Sequence, residues 1–182
     1  EGVGCAVCHV RDGHIVAARP VTGAPHPVSV SSELGSSEMC ATCHQLSYPD
    51  SDRPFYDTYG EWKQTAHAQA GIRCQDCHMP PEAGTATATR FAATPSHGLK
   101  ADIARALTVL VELRSPEVER GTKYPVTVKL QNTGAGHHVP TGSPYKTYTV
   151  SVSLVDNAGK ALASAHTEQL GRTVTEEPPY TT

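Results

Sequence analysis

Over the second half of the chain, apolar residues recur at every second position. Leu107, Val109, Val111 and Leu113 follow this rule, as do Tyr124, Val126, Val128 and Leu130. Tyr148, Val150, Val152 and Leu154 alternate with Thr147, Thr149, Ser151 and Ser153. Successive side chains of a strand point to opposite faces, so each run predicts a strand with one face to bury. Asp156-Asn157-Ala158-Gly159 predicts a hairpin turn, and residues 161–170 a weaker return strand. Residues 99–182 read as an antiparallel, sandwich-like β module. Four strands make a thin sandwich, and Glu176-Glu177-Pro178-Pro179-Tyr180-Thr181-Thr182 adds none. The module is expected to be completed by another subunit or by further chain.

Residues 1–98 carry no such period. Pro20, Gly23, Pro25 and Pro27 interrupt any helix, and Ser29 to Ser37 is small and polar, so residues 1–37 are expected to be irregular. Ser36 and Ser37 before Glu38 make a helix start, which predicts a short helix to Leu46 that Tyr48-Pro49-Asp50 ends. The best helical pattern runs from Phe55 to Ala70: Tyr59, Trp62 and Ala66 share a stripe, and Gly71 is a natural stop. A Thr/Ala-rich linker follows from Gly84 to Thr94. The expected fold class is mixed, with a largely irregular, short-helical segment over 1–98 ahead of the β module over 99–182.

Aromatic residues are only 5 % of the chain, which has 15 Gly and 14 Pro in 182 residues. A segment this poor in apolar pattern cannot bury enough of its own surface to offset its chain entropy. Its six cysteines resolve the conflict. They fall in three copies of one motif: Cys5-Ala6-Val7-Cys8-His9, Cys40-Ala41-Thr42-Cys43-His44 and Cys74-Gln75-Asp76-Cys77-His78. Cys-x-x-Cys-His is the attachment pattern of c-type haem: two thiols reach the two vinyl groups of one porphyrin, and the next residue binds the iron. Three disulfides are a poorer reading, because cysteines this close are more often redox or metal pairs. Zinc is a better rival, but three Cys-x-x-Cys halves do not pair off, and zinc needs no His in the fifth place each time. Three covalent haem c groups are therefore expected, with His9, His44 and His78 as proximal iron ligands. The peptide would wrap the porphyrins instead of packing on itself, and seven of the ten histidines lie in residues 1–98.

Four further histidines are candidates for the opposite side of an iron. His26 stands between Pro25 and Pro27 on a stiff loop, His67 is on the last turns of the predicted helix, and His97 is in Ser96-His97-Gly98 just before the change of pattern. His137 is in the Gly-rich stretch Asn132-Thr133-Gly134-Ala135-Gly136-His137-His138-Val139-Pro140-Thr141-Gly142, which breaks the β alternation. Each could instead be an ordinary surface His. His14 is too close to His9 to share its iron, and Met79 cannot easily swing to the far side of the iron bound by His78. Four candidates for three irons argue against a free position for substrate.

The stretch Glu61-Trp62 through His67 to Cys74-Gln75-Asp76-Cys77-His78-Met79-Pro80, then Ser96-His97-Gly98, then Gly136-His137-His138-Val139-Pro140-Thr141-Gly142, resembles bacterial and archaeal multihaem c-type cytochromes. The similarity covers about residues 38–145. It implies that His67, His97 and His137 are distal ligands, and that the haems are bis-His, low in potential and active in electron transfer. In relatives such proteins sometimes build extracellular filaments. The expected function is an electron carrier rather than an enzyme, a subunit of an extracellular polymeric conduit. A soluble periplasmic shuttle and a piece of a multihaem oxidoreductase are the alternatives. The expected partners are further copies of the chain and redox proteins or extracellular acceptors. A net charge of −3 makes no case for nucleic acid, and no apolar run approaches the length of a membrane span. Covalent haem attachment takes place outside the cytoplasm, so a periplasmic or extracellular location is expected, with any signal peptide already removed.

Overall fold

The computed structural model describes residues 3–49, 51–82, 94–95, 97–99, 101–117, 119 and 121–174. Most of the predicted linker (84–93), Ser96 and the segment Glu176 to Thr182 lie outside the described residues.

The first motif forms helix α1 (Cys5–His9), followed by strands β1 (Val10–Arg11) and β2 (His14–Ala17). Asp12 (φ 49°) and Gly13 (φ 77°) turn the chain between these strands. Two left-handed positions in a row make the two-residue hairpin turn that Asp-Gly favours. β3 (Ser29–Val30) adds in parallel beside β2. The segment expected to be irregular thus holds a small three-stranded sheet, and Asp12-Gly13 was its legible signal.

Helix α2 (Ser37–His44) carries the second motif. It stops two residues short of the expected end, because Leu46 enters β4 (Leu46–Ser47), which pairs with β5 (Pro54–Tyr56). The long helix expected from Phe55 to Ala70 is also corrected. Phe55 and Tyr56 are strand residues, and the rest divides into α3 (Thr58–Lys63) and α4 (Ala66–Gln69). Thr65 makes the break: its backbone is extended (φ −93°, ψ 163°), and its hydroxyl donates to the Trp62 carbonyl at 2.7 Å. Such a side-chain bond offers the backbone an alternative to helix. The Trp62 indole N–H donates to the Ile72 carbonyl at 3.0 Å and folds the chain back after α4. Helix α5 (Cys74–His78) carries the third motif, and β6 (Pro81–Glu82) pairs with β7 (Thr94–Pro95).

Helix α6 (Ile103–Ala106) leads into β8 (Leu107–Leu113), which pairs with β9 (Val126–Asn132). The register sets Val109 opposite Leu130, Val111 opposite Val128 and Leu113 opposite Val126, so one face of this ribbon is aliphatic. β10 (Tyr148–Val152) pairs with β11 (His166–Leu170) through the expected turn, where Gly159 has φ 81°. Among the described residues these are two separate two-stranded sheets. A cleft of about 520 Å³ lies between Leu107 and Leu130 of one, Leu170 of the other, and Val139-Pro140.

Packing between elements is sparse. Among the described residues the buried apolar side chains are Val16, Met39 and Pro144, and Val109, Val111 and Leu113 are 57 %, 60 % and 58 % exposed. A buried aliphatic side chain contributes about 1.5–3 kcal/mol. Ordering one residue's backbone costs about 1–2 kcal/mol. So few buried side chains contribute far less than ordering dozens of residues costs.

Candidate haem site

In all three motifs the first cysteine, the second and the histidine stand at i, i+3 and i+4 of a helical turn, which puts them on one face. Each helix ends on its histidine. In α1 and α2 the next residue is extended: Val10 has ψ 119° and Gln45 ψ 94°. The motif is thus a single stiff turn offering two thiols and an imidazole together.

Polar bonds, rather than apolar packing, hold α2 against α5. The Cys74 amide donates to the Ser37 hydroxyl at 3.1 Å, and Ser37 is 1 % exposed. The Arg73 guanidinium donates to the Gly35 carbonyl at 2.9 Å and pairs with Asp76 at 2.7 Å, while Asp76 also accepts from the Arg73 amide at 2.8 Å. These ties bring the thiols of Cys40 and Cys74, from different motifs, close enough to interact. As free thiols, Cys40 is raised well above the usual range by its interaction with Cys74 and by burial, and Cys74 is lowered to about 6 by its interaction with Cys40. Helix α3 is tied to α2 in the same manner. The Gln45 amide donates to Asp57 at 2.9 Å, the Gly60 amide donates back to Gln45 at 2.8 Å, and the Tyr59 hydroxyl donates to Glu38 at 3.0 Å. A Cβ on Gly60 would stand 2.2 Å from the Asp57 carboxylate, so this junction requires glycine.

Two of the motif histidines face an imidazole from elsewhere in the chain. The rings of His78 and His137 are 6.0 Å apart between centres and 11° from parallel. Those of His9 and His97 are 6.1 Å apart and inclined by 33°. Two metal–imidazole bonds of about 2 Å each, with the distance from nitrogen to ring centre at either end, span a gap of this size. The other ring nitrogens are engaged as a ligand histidine's should be. His9 Nδ1 lies 2.8 Å from the Val16 carbonyl, and His137 Nδ1 lies 2.8 Å from the His138 carbonyl. A proton held there leaves Nε2 as the free lone pair. The chain's own residues therefore fit haem c: two thiols and an imidazole on each helix, a second imidazole across from two of them, and too small a core without it.

The remaining candidates are placed differently. His44 is exposed, and among the described residues no ring faces it at such a distance. Its pKa is lowered by partial burial and then by repulsion from His78 and His137, so these three share one neighbourhood. His67 is half-buried against the Gly-rich loop: a Cβ on Gly136 would lie 3.2 Å from His67 Cβ and Cγ. His26 is exposed, with Nδ1 3.3 Å from the Pro27 carbonyl, and His14 is exposed on β2.

Residues 16–104 match the N-terminal region of the NapC/NirT cytochrome c family. The match supports a multihaem c-type cytochrome that transfers electrons on covalently bound haem c. It takes in the second and third motifs of the chain together with His26, His67 and His97, and leaves out the first motif and His137. No curated protein and no solved structure matches the chain. Among the described residues no helix is long and apolar enough to cross a membrane.

Sequence reasoning missed Glu61. It is 8 % exposed, and its partners are the loop carrying His137 and an arginine beyond β11. Nothing local marks it, since those partners are more than seventy residues away along the chain. Ser37 was read only as part of a helix start, but its buried hydroxyl also joins two motifs.

Proposed function

We propose that the cytochrome binds three haem c groups, attached at Cys5 and Cys8, Cys40 and Cys43, and Cys74 and Cys77, with His9, His44 and His78 as proximal ligands. His97 is the ligand opposite His9, and His137 the ligand opposite His78. The single observation carrying this reading is the two facing imidazole pairs. Haem c, when bound, supplies a ferric–ferrous one-electron couple. The chain's part is to hold each group rigidly. Helical turns present the thiols and proximal imidazoles, the Val16 and His138 carbonyls orient the rings, and at the first and third sites an imidazole on either side would keep substrate away. The contact of Cys40 with Cys74 supports a short path between the second and third groups.

His26 and His67 remain for His44. His67 is also the position that the family resemblance nominates as a ligand. The unused His26 and the uncovered aliphatic face of β8 and β9 support assembly of copies into an extracellular polymer, in which a redox partner or extracellular acceptor takes the electrons. Outside the cytoplasm is the proposed location. One observation favours a second reading: because among the described residues no ring faces His44, the second haem could keep an exchangeable position, as in a multihaem oxidoreductase. Binding of carbon monoxide by one haem of the native particle would select that reading. A monomer with three six-coordinate haems would select a soluble shuttle.

The test combines mass, spin state and size. The intact mass should exceed the 19.3 kDa polypeptide by three haem masses. His97→Ala and His137→Ala should each make one haem high-spin without loss of any attached group. Unchanged spectra would remove the pairing. Native electron microscopy should show linear particles; discrete monomers would remove the polymer.

A further inference from the structure

Glu61 is the one buried carboxylate among the described residues, its side chain only 4 % exposed. A buried charge is costly unless it is paired and hydrogen-bonded, and every partner of this one belongs to the structure around His137. Oε2 accepts from the His138 backbone N–H at 3.0 Å and from the Thr141 hydroxyl at 2.6 Å. Oε1 accepts from the Arg172 guanidinium at 3.0 Å and lies 3.2 Å from His138 Nδ1. The hydroxyl of Thr58, on the same helix α3 as Glu61, meets the Thr141 hydroxyl at 2.9 Å. One carboxylate therefore grips the loop at His138, next to His137, and at Thr141, and is itself held from beyond β11.

The rest of the loop is fastened independently. The Asn132 amide donates to the His137 carbonyl at 2.7 Å, and the Ala135 amide donates to the Asn132 side chain at 3.0 Å. The His138 carbonyl, on the residue whose amide Glu61 holds, lies 2.8 Å from His137 Nδ1. Moving the residue 138 peptide therefore moves the atom that orients the His137 ring. Asn132 anchors the loop's root and Glu61 its far side.

We propose that Glu61 is a positioning residue for the third haem: through the His138 peptide and Thr141 it sets His137 opposite His78. This rests on the pairing of those two histidines proposed above. A ring held at one nitrogen only by a loose loop would leave the iron for part of the time. Loss of Glu61 should therefore appear as partial ligand release at one haem, not as loss of haem.

The experiment uses the haem-loaded protein and the variants Glu61→Ala, Glu61→Gln, His137→Ala and His67→Ala. Intact mass checks that haem attachment is unchanged. Resonance Raman and paramagnetic resonance then read the spin state. His137→Ala should turn one haem high-spin. Glu61→Ala should show the same signal at partial amplitude, matching His137→Ala and not His67→Ala, and added imidazole should restore low spin. The His138 amide should exchange its hydrogen at least about tenfold faster. Should Glu61→Ala fail to accumulate, Glu61→Gln, which keeps the side-chain volume, is read in the same way. A wild-type spin state in the Glu61 variants alongside a high-spin His137→Ala overturns the proposal and leaves the pairing standing. An unchanged His137→Ala overturns both.

Discussion

The helical segment that carries the three motifs and the β strands that follow it are opposites in how they use apolar residues. The strands keep a strict alternation, yet the face it builds is open: Val109, Val111, Leu113 and Val126 are each about half exposed or more. The helical segment has almost no alternation, yet its elements are closely tied by Ser37, Gln45 and Arg73. Alternation is a request for cover, and it forms a ribbon before any cover arrives. Polar ties specify distances with little burial, which suits a chain whose apolar core is a bound group. The two regions therefore differ in what holds them, one in its polar ties and the other in a face still open among the described residues.

The largest effect should come from removing one attachment site. Cys74→Ser with Cys77→Ser should lower the intact mass by one haem. Circular dichroism should show loss of helix while the strand signal of residues 107–170 persists. Equal loss from both regions would mean that the strands depend on haem as well. Next in size is Gly134→Ala, because the new Cβ would meet the Arg105 carbonyl oxygen at 2.0 Å. Overpacking of this kind costs about 1–3 kcal/mol, and it should lower the thermal midpoint and disturb the His137 loop. An unchanged midpoint would show that the loop's root is free to shift.

Val109→Thr with Val111→Thr tests the open face. In the isolated chain, substitutions at exposed sites should change stability by no more than about 0.5 kcal/mol each. If copies cover this face, light scattering should instead report smaller particles. A large loss in a monomeric sample would show that the chain itself buries the face. The smallest effect is expected of Glu38→Gln. Glu38 is held below its ordinary value of 4.5 by its own backbone amide, then by the Ser36 and Tyr59 hydroxyls. A depressed carboxyl adds stability above its unfolded value, and loses it as pH falls through the folded one. The variant should melt slightly earlier than wild type at neutral pH, and the difference should shrink as pH falls below the unfolded carboxyl value of about 4.3 and vanish below the depressed folded one. A gap that persists in acid would assign the effect to shape rather than charge.

Much of this was readable along the chain. β8 occupies Leu107–Leu113, as its alternation predicts, and Asp156 to Gly159 makes the expected turn. The helix starting at Ser36 and Ser37 is present. The single helix from Phe55 to Ala70 was not found, because Thr65 takes the Trp62 carbonyl for its own hydroxyl and Phe55 is used in a strand. The first 37 residues were read by their prolines, and the one strong signal among them, Asp12-Gly13, was passed over.

What the sequence alone determined is whatever depends on neighbours a few residues apart. The Cys-x-x-Cys-His turns, the period-two strands and the list of spare histidines follow from i, i+2, i+3 and i+4 geometry, which is the same in any fold. Tertiary structure decided which histidine faces which. It set His137 rather than His67 across from His78, brought Cys40 against Cys74, and buried Glu61 among residues 138, 141 and 172. Those choices depend on distances between segments more than thirty residues apart, or on hydrogen bonds whose partners carry no shared pattern. A carboxylate reads as a surface charge until the loop that buries it is in place.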